Sequence, residues 1–237
     1  MAVESKSFVA RVPIRDPQVA NEAAARGWVR DRSADPNCLL EIGLVFSLIM
    51  LAVWTPPGRF NSAVSLLATL AVVVVSLRGR YSSRELGLTR PASGALVTLI
   101  AGALVVLAIA GAGVFTRELG PPQVFPWHKA WQYAIWALLQ QFILQSVFYV
   151  RLESVLGSGR AVLAAALLFA IAHLPSPLLT ALGFLGGLLF CEMFRRYRNI
   201  FPLGLVHAAL GLTIAARLPD NVLHHMRVGI GYLTYHR

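Results

Sequence analysis

The chain has 237 residues, 57% of them hydrophobic and 14% charged, with a mean hydropathy of +0.64 and a net charge of +10. A soluble domain of this size could not shelter so much apolar surface, so the composition excludes one and calls for an all-α polytopic membrane helical bundle. Nucleic acid is not expected as a partner, because the bases punctuate the apolar runs instead of clustering with aromatics on a soluble domain.

Residues 1–37 precede any apolar run, so no secretory signal is expected there. Asp16-Pro17 followed by QVANEAAARGWVR predicts an N-capped short helix in a cytoplasmic or interfacial arm. The transmembrane domain is expected over 38–218 and a C-terminal tail over 219–237. Its charge-free runs are 42–58, 60–77, 91–116, 130–150, 161–191 and 199–216. The fifth is 31 residues long and is broken by Pro175 and Pro177, so it divides into two spans, which gives about seven transmembrane helices.

The first span begins near Leu39, with Glu41 read as interfacial, and Pro56, Pro57 and Gly58 turn the chain into the second. The loop RGRYSSRELGLTRP follows, in which Ser82 or Ser83 is placed to cap a short turn before Glu85. The third span, 95–115, is rich in Gly and Ala and reads as a close-packing helix. Trp127 and Trp131 are expected to anchor the outer end of the fourth.

That fourth run holds WALLQQFILQSVFYVR, residues 136–151. Gln140, Gln141 and Gln145 lie where hydrocarbon offers an amide no partner, so they need other helices or a wet cavity. Four-residue spacing aligns Gln141, Gln145 and Tyr149 as one stripe, with Trp136 and Gln140 beside it. This stripe reads as the wall of a site, or as polar glue between helices. The short fifth span ends at His173, with Phe169 one turn earlier; the sixth contains GFLGG; the seventh places His207 near its middle, where it must face protein or a cavity.

If the N-terminus is cytoplasmic, fifteen of the 21 Lys and Arg fall on the inner side, the bias that sets topology. This orientation and a cell-membrane location are the expectation. Cys38 and Cys191 are the only cysteines and make neither a disulfide framework nor a zinc cluster. Two histidines with no nearby carboxylate or thiolate are an incomplete zinc site, and no metal or other cofactor is expected.

These residues resemble the CPBP family, the CAAX prenyl protease and bacteriocin-processing (ABI) intramembrane proteases. The family shows Glu-Glu-x-x-x-Arg on one helix, Phe-x-x-x-His on the next and His-x-x-x-Asn or Asp on a later one. The counterparts are Gln140-Gln141 with Gln145, Phe169 with His173, and His207 with Gly211, and ELGL at 85–88 resembles a family loop. The similarity covers roughly residues 80–216.

The resemblance implies catalytic positions at Gln140, Gln141, His173 and His207, and a lining that includes Gln145, Phe169 and Gly211. In the family, a glutamate and a histidine activate water while the later His and Asn bind the oxyanion. Here glutamine stands at both glutamate positions, and losing a general base typically costs about 10² to 10⁴ in rate. Glu153 and Glu192 are poorly placed as substitutes, Glu153 lying about 18 Å along the helix from Gln141. The expected function is an intramembrane endopeptidase, or a homologue of one, acting on membrane-associated or prenylated protein substrates, with membrane lipids as its surroundings. The alternatives are a catalytically inactive binding or immunity protein and a small transporter. The sequence indicates no oligomeric state.

Overall fold

The computed structural model describes residues 37–79, 81–115 and 124–235; the arm expected over 1–37, with its helix after Asp16, lies outside these but for Asn37. Every regular element among the described residues is helical. Helices α1 (Cys38–Trp54), α2 (Arg59–Arg78) and α3 (Ala95–Phe115) come first. A long rod follows, made of α4 (Trp127–Gln141), a π-helix (Phe142–Tyr149) and α5 (Val150–Leu156). Then come α6 (Ser158–Ile171), α7 (Pro177–Tyr197) and α8 (Ile200–Arg217), and the short α9 (Asp220–Leu223) and α10 (Gly229–Leu233).

By length and composition, α2, the rod, α7 and α8 can each cross a membrane, and α1, α3 and α6 are shorter apolar helices. These are the seven spans expected from the apolar runs. The division of the fifth run falls at the prolines: α6 stops at Ile171, the buried Ser176 caps α7 by accepting from the Leu179 N–H, and Pro177 takes the first helical position. Asn199 caps α8 in the same way, accepting from the Phe201 N–H at 3.2 Å. Its Nδ2 donates to the carbonyls of Pro91 and Ser93, which ties the start of α3 to the α7–α8 turn.

The core gathers around the C-terminal half of the rod, where Leu144, Val147, Phe148 and Tyr149 meet α1, α6, α7 and α8. A π-helix leaves carbonyls out of the regular α ladder, and here Arg151 covers them. Its Nη1 donates to the carbonyls of Ser146 and Val147 at 3.3 and 3.2 Å, and Nη2 to that of Val75 at 2.7 Å. The Arg151 side chain is wholly buried, and its Nε pairs with Glu41 at 2.6 Å. Glu41, read from the sequence as interfacial, keeps about a quarter of its side chain exposed and also meets the buried charge of Arg151.

Two more ties close this end. Tyr149 donates to Glu153 at 2.9 Å, and Glu153 in turn pairs with Arg198. Ser82 and Glu85 form a capping box, and Ser146 Oγ donates to the Leu86 carbonyl at 2.7 Å, which fixes the ELGL loop against the π-helix. At the opposite end, the residues after α8 fold back on the bundle. The Gly229 N–H donates to the Leu174 carbonyl at 2.7 Å, and Gly229 lies so close to Val53 that a side chain there would overlap it.

Candidate active site

Helix α4 meets α8 along the face of Tyr133, Ala137 and Gln141, residues four apart. Close approach is possible because Ala137 is small and fully buried and because Gly204 faces Leu138, whose Cα a Cβ at Gly204 would meet at 3.1 Å. This contact brings Gln141 to His207: the amide Nε2 donates to Nδ1 of the ring at 3.2 Å. Gln145, on the next turn, donates from its own Nε2 to Gln141 Oε1 at 3.2 Å, and both amides are completely buried. The three side chains thus make one directed chain, Gln145 to Gln141 to His207.

His173 stands just past the end of α6, its ring beside Gly183 of α7, and its Nδ1 lies 2.6 Å from the Phe169 carbonyl. The carbonyl only accepts, so Nδ1 carries the hydrogen and Nε2 keeps its lone pair. In His207, Nδ1 accepts from an amide, so Nε2 carries the hydrogen. The two imidazoles therefore present opposite chemistry: His173 Nε2 can take a proton and His207 Nε2–H can donate one. The Phe169 ring packs edge-on against both, at 4.7 Å from His173 and 5.8 Å from His207 between ring centres, and Phe190 covers the other side of His207 at 5.4 Å.

Gln141, Gln145, Phe169, His173 and His207 are thus brought together. Gln140 is half-buried, one residue round the helix, and takes no part in the amide chain. Trp136, expected beside the stripe, is 52% exposed, because α8 packs on the Tyr133–Ala137–Gln141 face and leaves Trp136 outside. Tyr149 does share the buried face, but its hydroxyl is spent on Glu153. Among the described residues every carboxylate is held elsewhere: Glu41 is paired with Arg151, Glu153 with Arg198, Glu192 with Arg195 and Arg196, Glu85 accepts from Ser82, and Asp220 accepts from Tyr235 and His225.

Sequence reasoning missed Tyr133. A side chain at Gly211 would overlap its hydroxyl, so the phenol fills the space beside α8 one turn beyond His207. The signal available was positional, since Tyr133 lies two turns before Gln141 on the same helix face.

An apolar groove of about 520 Å³ lies between α6 and the start of α7, lined by Leu167, Ile171, Leu174, Pro175, Thr180 and Phe184 among others, and His173 is not part of its lining.

No curated protein and no solved structure matches the chain significantly. Residues 122–213, the segment that carries Tyr133, the glutamines, Phe169, both histidines and Gly211, match the family model described as Rce1-like, type II CAAX prenyl endopeptidase, in keeping with the CPBP resemblance.

Proposed function

We propose that this protein is a CAAX-protease-like endopeptidase of the cell membrane, with its N-terminus in the cytoplasm. Its substrate is a membrane-associated or prenylated protein, bound at the Gln141–His173–His207 site. The supporting observation is the pair of opposed tautomers, a base at His173 Nε2 and a hydrogen-bond donor at His207 Nε2. Water attacks the scissile carbonyl carbon and gives its proton to His173 Nε2. The carbonyl electron pair moves onto oxygen, where His207 Nε2–H meets it. Collapse of the intermediate breaks the C–N bond, and the leaving amine takes the proton back from His173, which leaves a carboxylic acid and an amine. With glutamine at 140 and 141, no carboxylate among the described residues shares the work of the base, and turnover is about 10² to 10⁴ below that of a site with one.

A second reading, a membrane receptor for the same peptides that does not cleave them, is favoured by one observation: Glu41, Glu153 and Glu192 are each held by arginine. Cleavage of a panel of membrane-tethered and prenylated peptides separates the two. The endopeptidase is expected to cleave slowly, to speed up in Gln141→Glu, and to lose both rates when His173→Ala is added. Binding without cleavage in the unaltered protein and in Gln141→Glu would leave the receptor.

A further inference from the structure

We propose that Tyr133 is a further catalytic residue, its hydroxyl acting with His207 Nε2–H as the second hydrogen-bond donor to the oxygen of the scissile carbonyl. The inference deepens the proposed function and rests on it.

Position 211 is where the resemblance leads one to expect Asn or Asp, and the chain has Gly. The gap is not empty. An ideal Cβ built on Gly211 has the Tyr133 hydroxyl oxygen, Cζ and Cε1 as its three nearest atoms, so the phenol stands where a side chain from α8 would begin. Gly211 and His207 are four residues apart on α8 and share a face, with neighbouring Cβ positions about 5 to 6 Å apart. A single carbonyl oxygen between them can meet both groups.

The phenol is also chemically available. The Tyr133 side chain is partly buried, yet its hydroxyl has no hydrogen-bond partner among the described residues. The nearby polar groups already have other partners: the Gln141 amide is used between Gln145 and His207, and Tyr149 donates to Glu153. Its oxygen is not one of the fully enclosed unpartnered atoms, which among the described residues are Gln145 Oε1 and Thr180 Oγ1, so it stays open to an incoming acceptor. A phenol is well suited to a developing oxyanion, because it keeps its proton at neutral pH and shares it most strongly when the oxygen carries charge.

The glycine at 211 then has a reason: with any larger residue, the Tyr133 ring could not reach α8. Donor chemistry has moved from one helix to the other, from a side chain on α8 to a phenol on α4.

The test uses the full-length protein in lipid nanodiscs and two probes, a prenylated peptide and its phosphinate analogue, in which a tetrahedral anion replaces the scissile amide. Tyr133→Phe keeps the ring against Gly211 and removes only the hydroxyl. It is expected to weaken phosphinate binding about 10²-fold, the usual effect of losing one oxyanion donor, while affinity for the amide peptide changes less than about twofold. Tyr133→Leu combined with Gly211→Asn restores a donor from the other helix and is expected to recover at least about tenfold in phosphinate affinity over Tyr133→Leu alone. Equal phosphinate binding by Tyr133→Phe and the unaltered protein, or parallel loss of both ligands, would overturn the role of Tyr133, while slow cleavage of the peptide by the unaltered protein, abolished in His173→Ala, would still uphold the proposed function. Failure of both probes to bind the folded, unaltered protein would overturn both.

Discussion

Gln145 donates to Gln141 Oε1 at 3.2 Å, and that bond decides which way round the Gln141 amide faces His207. Reversing both amides would keep two hydrogen bonds, but the Gln145 NH₂ would then occupy the place of its Oε1, which has no partner. Two orphaned N–H groups are worse than one under-used oxygen, so the observed direction is preferred. Replacing Gln145 with methionine removes the donor, frees the Gln141 amide to turn, and lets His207 populate both tautomers. The measurement is ¹⁵N NMR of histidine-labelled protein, with His207 identified by loss of its signals on substitution, at a pH about two units above the ordinary imidazole value of about 6.5. The unaltered protein should show a pyridine-type Nδ1 and a pyrrole-type Nε2, and Gln145→Met should shift both toward the average. Identical spectra would show that Gln145 does not set the tautomer.

Arg151 carries a different prediction, one of stability. Its guanidinium is wholly buried and serves Glu41 and three backbone carbonyls at once. Arg151→Ala strands all of these, and because Glu41 keeps about a quarter of its side chain exposed the cost falls toward or below the low end of the about 3 to 5 kcal/mol for breaking a fully buried pair. Arg151→Met with Glu41→Leu removes both charges and should cost clearly less. Reversible unfolding in mixed detergent reads the difference. A loss in the single variant no larger than in the double would mean that the ion pair is not what this end of the bundle depends on.

Topology is tested by reporters. Fusions after Arg90 or Arg198 are expected to read as cytoplasmic and one at Pro175 as external, given the excess of Lys and Arg on the inner side. Arg151 and Arg198 are turned into the protein, which leaves the excess to the exposed bases. Opposite signals would invert the orientation and leave the geometry of the site unchanged.

The spans were legible because hydrocarbon enforces long apolar runs and because proline ends helices by covalent geometry: the third span, expected over 95–115 within the run 91–116, is the helix Ala95–Phe115, and Pro175 and Pro177 mark the α6–α7 turn. The pairing of Gln141 with His207 could be anticipated from the need of mid-membrane polar groups for partners. Periodicity could not tell which face of α4 meets α8. Trp136 and Tyr133 are both aromatic residues within two turns of the glutamines, and only the small residues Gly204 and Gly211 on a helix some seventy residues away decide that Tyr133 turns inward. The partnership of Glu41 with Arg151, 110 residues apart, was hidden for the same reason. A charged residue that directly follows a 21-residue charge-free run was the available hint.

The wide turn over Phe142–Tyr149 lies between two sets of side chains with unrelated duties. On one side of it, Tyr133 and Gln141 face α8; on the other, Arg151 and Glu153 face α1 and the α7–α8 turn. An uninterrupted α-helix would lock the azimuths of these groups together at 100° per residue. By changing the winding for eight residues, the chain works as a phase adjuster in a single rod, so that the polar groups turned to α8 and the ionic collar can each be aimed at their own targets without a break in the helix.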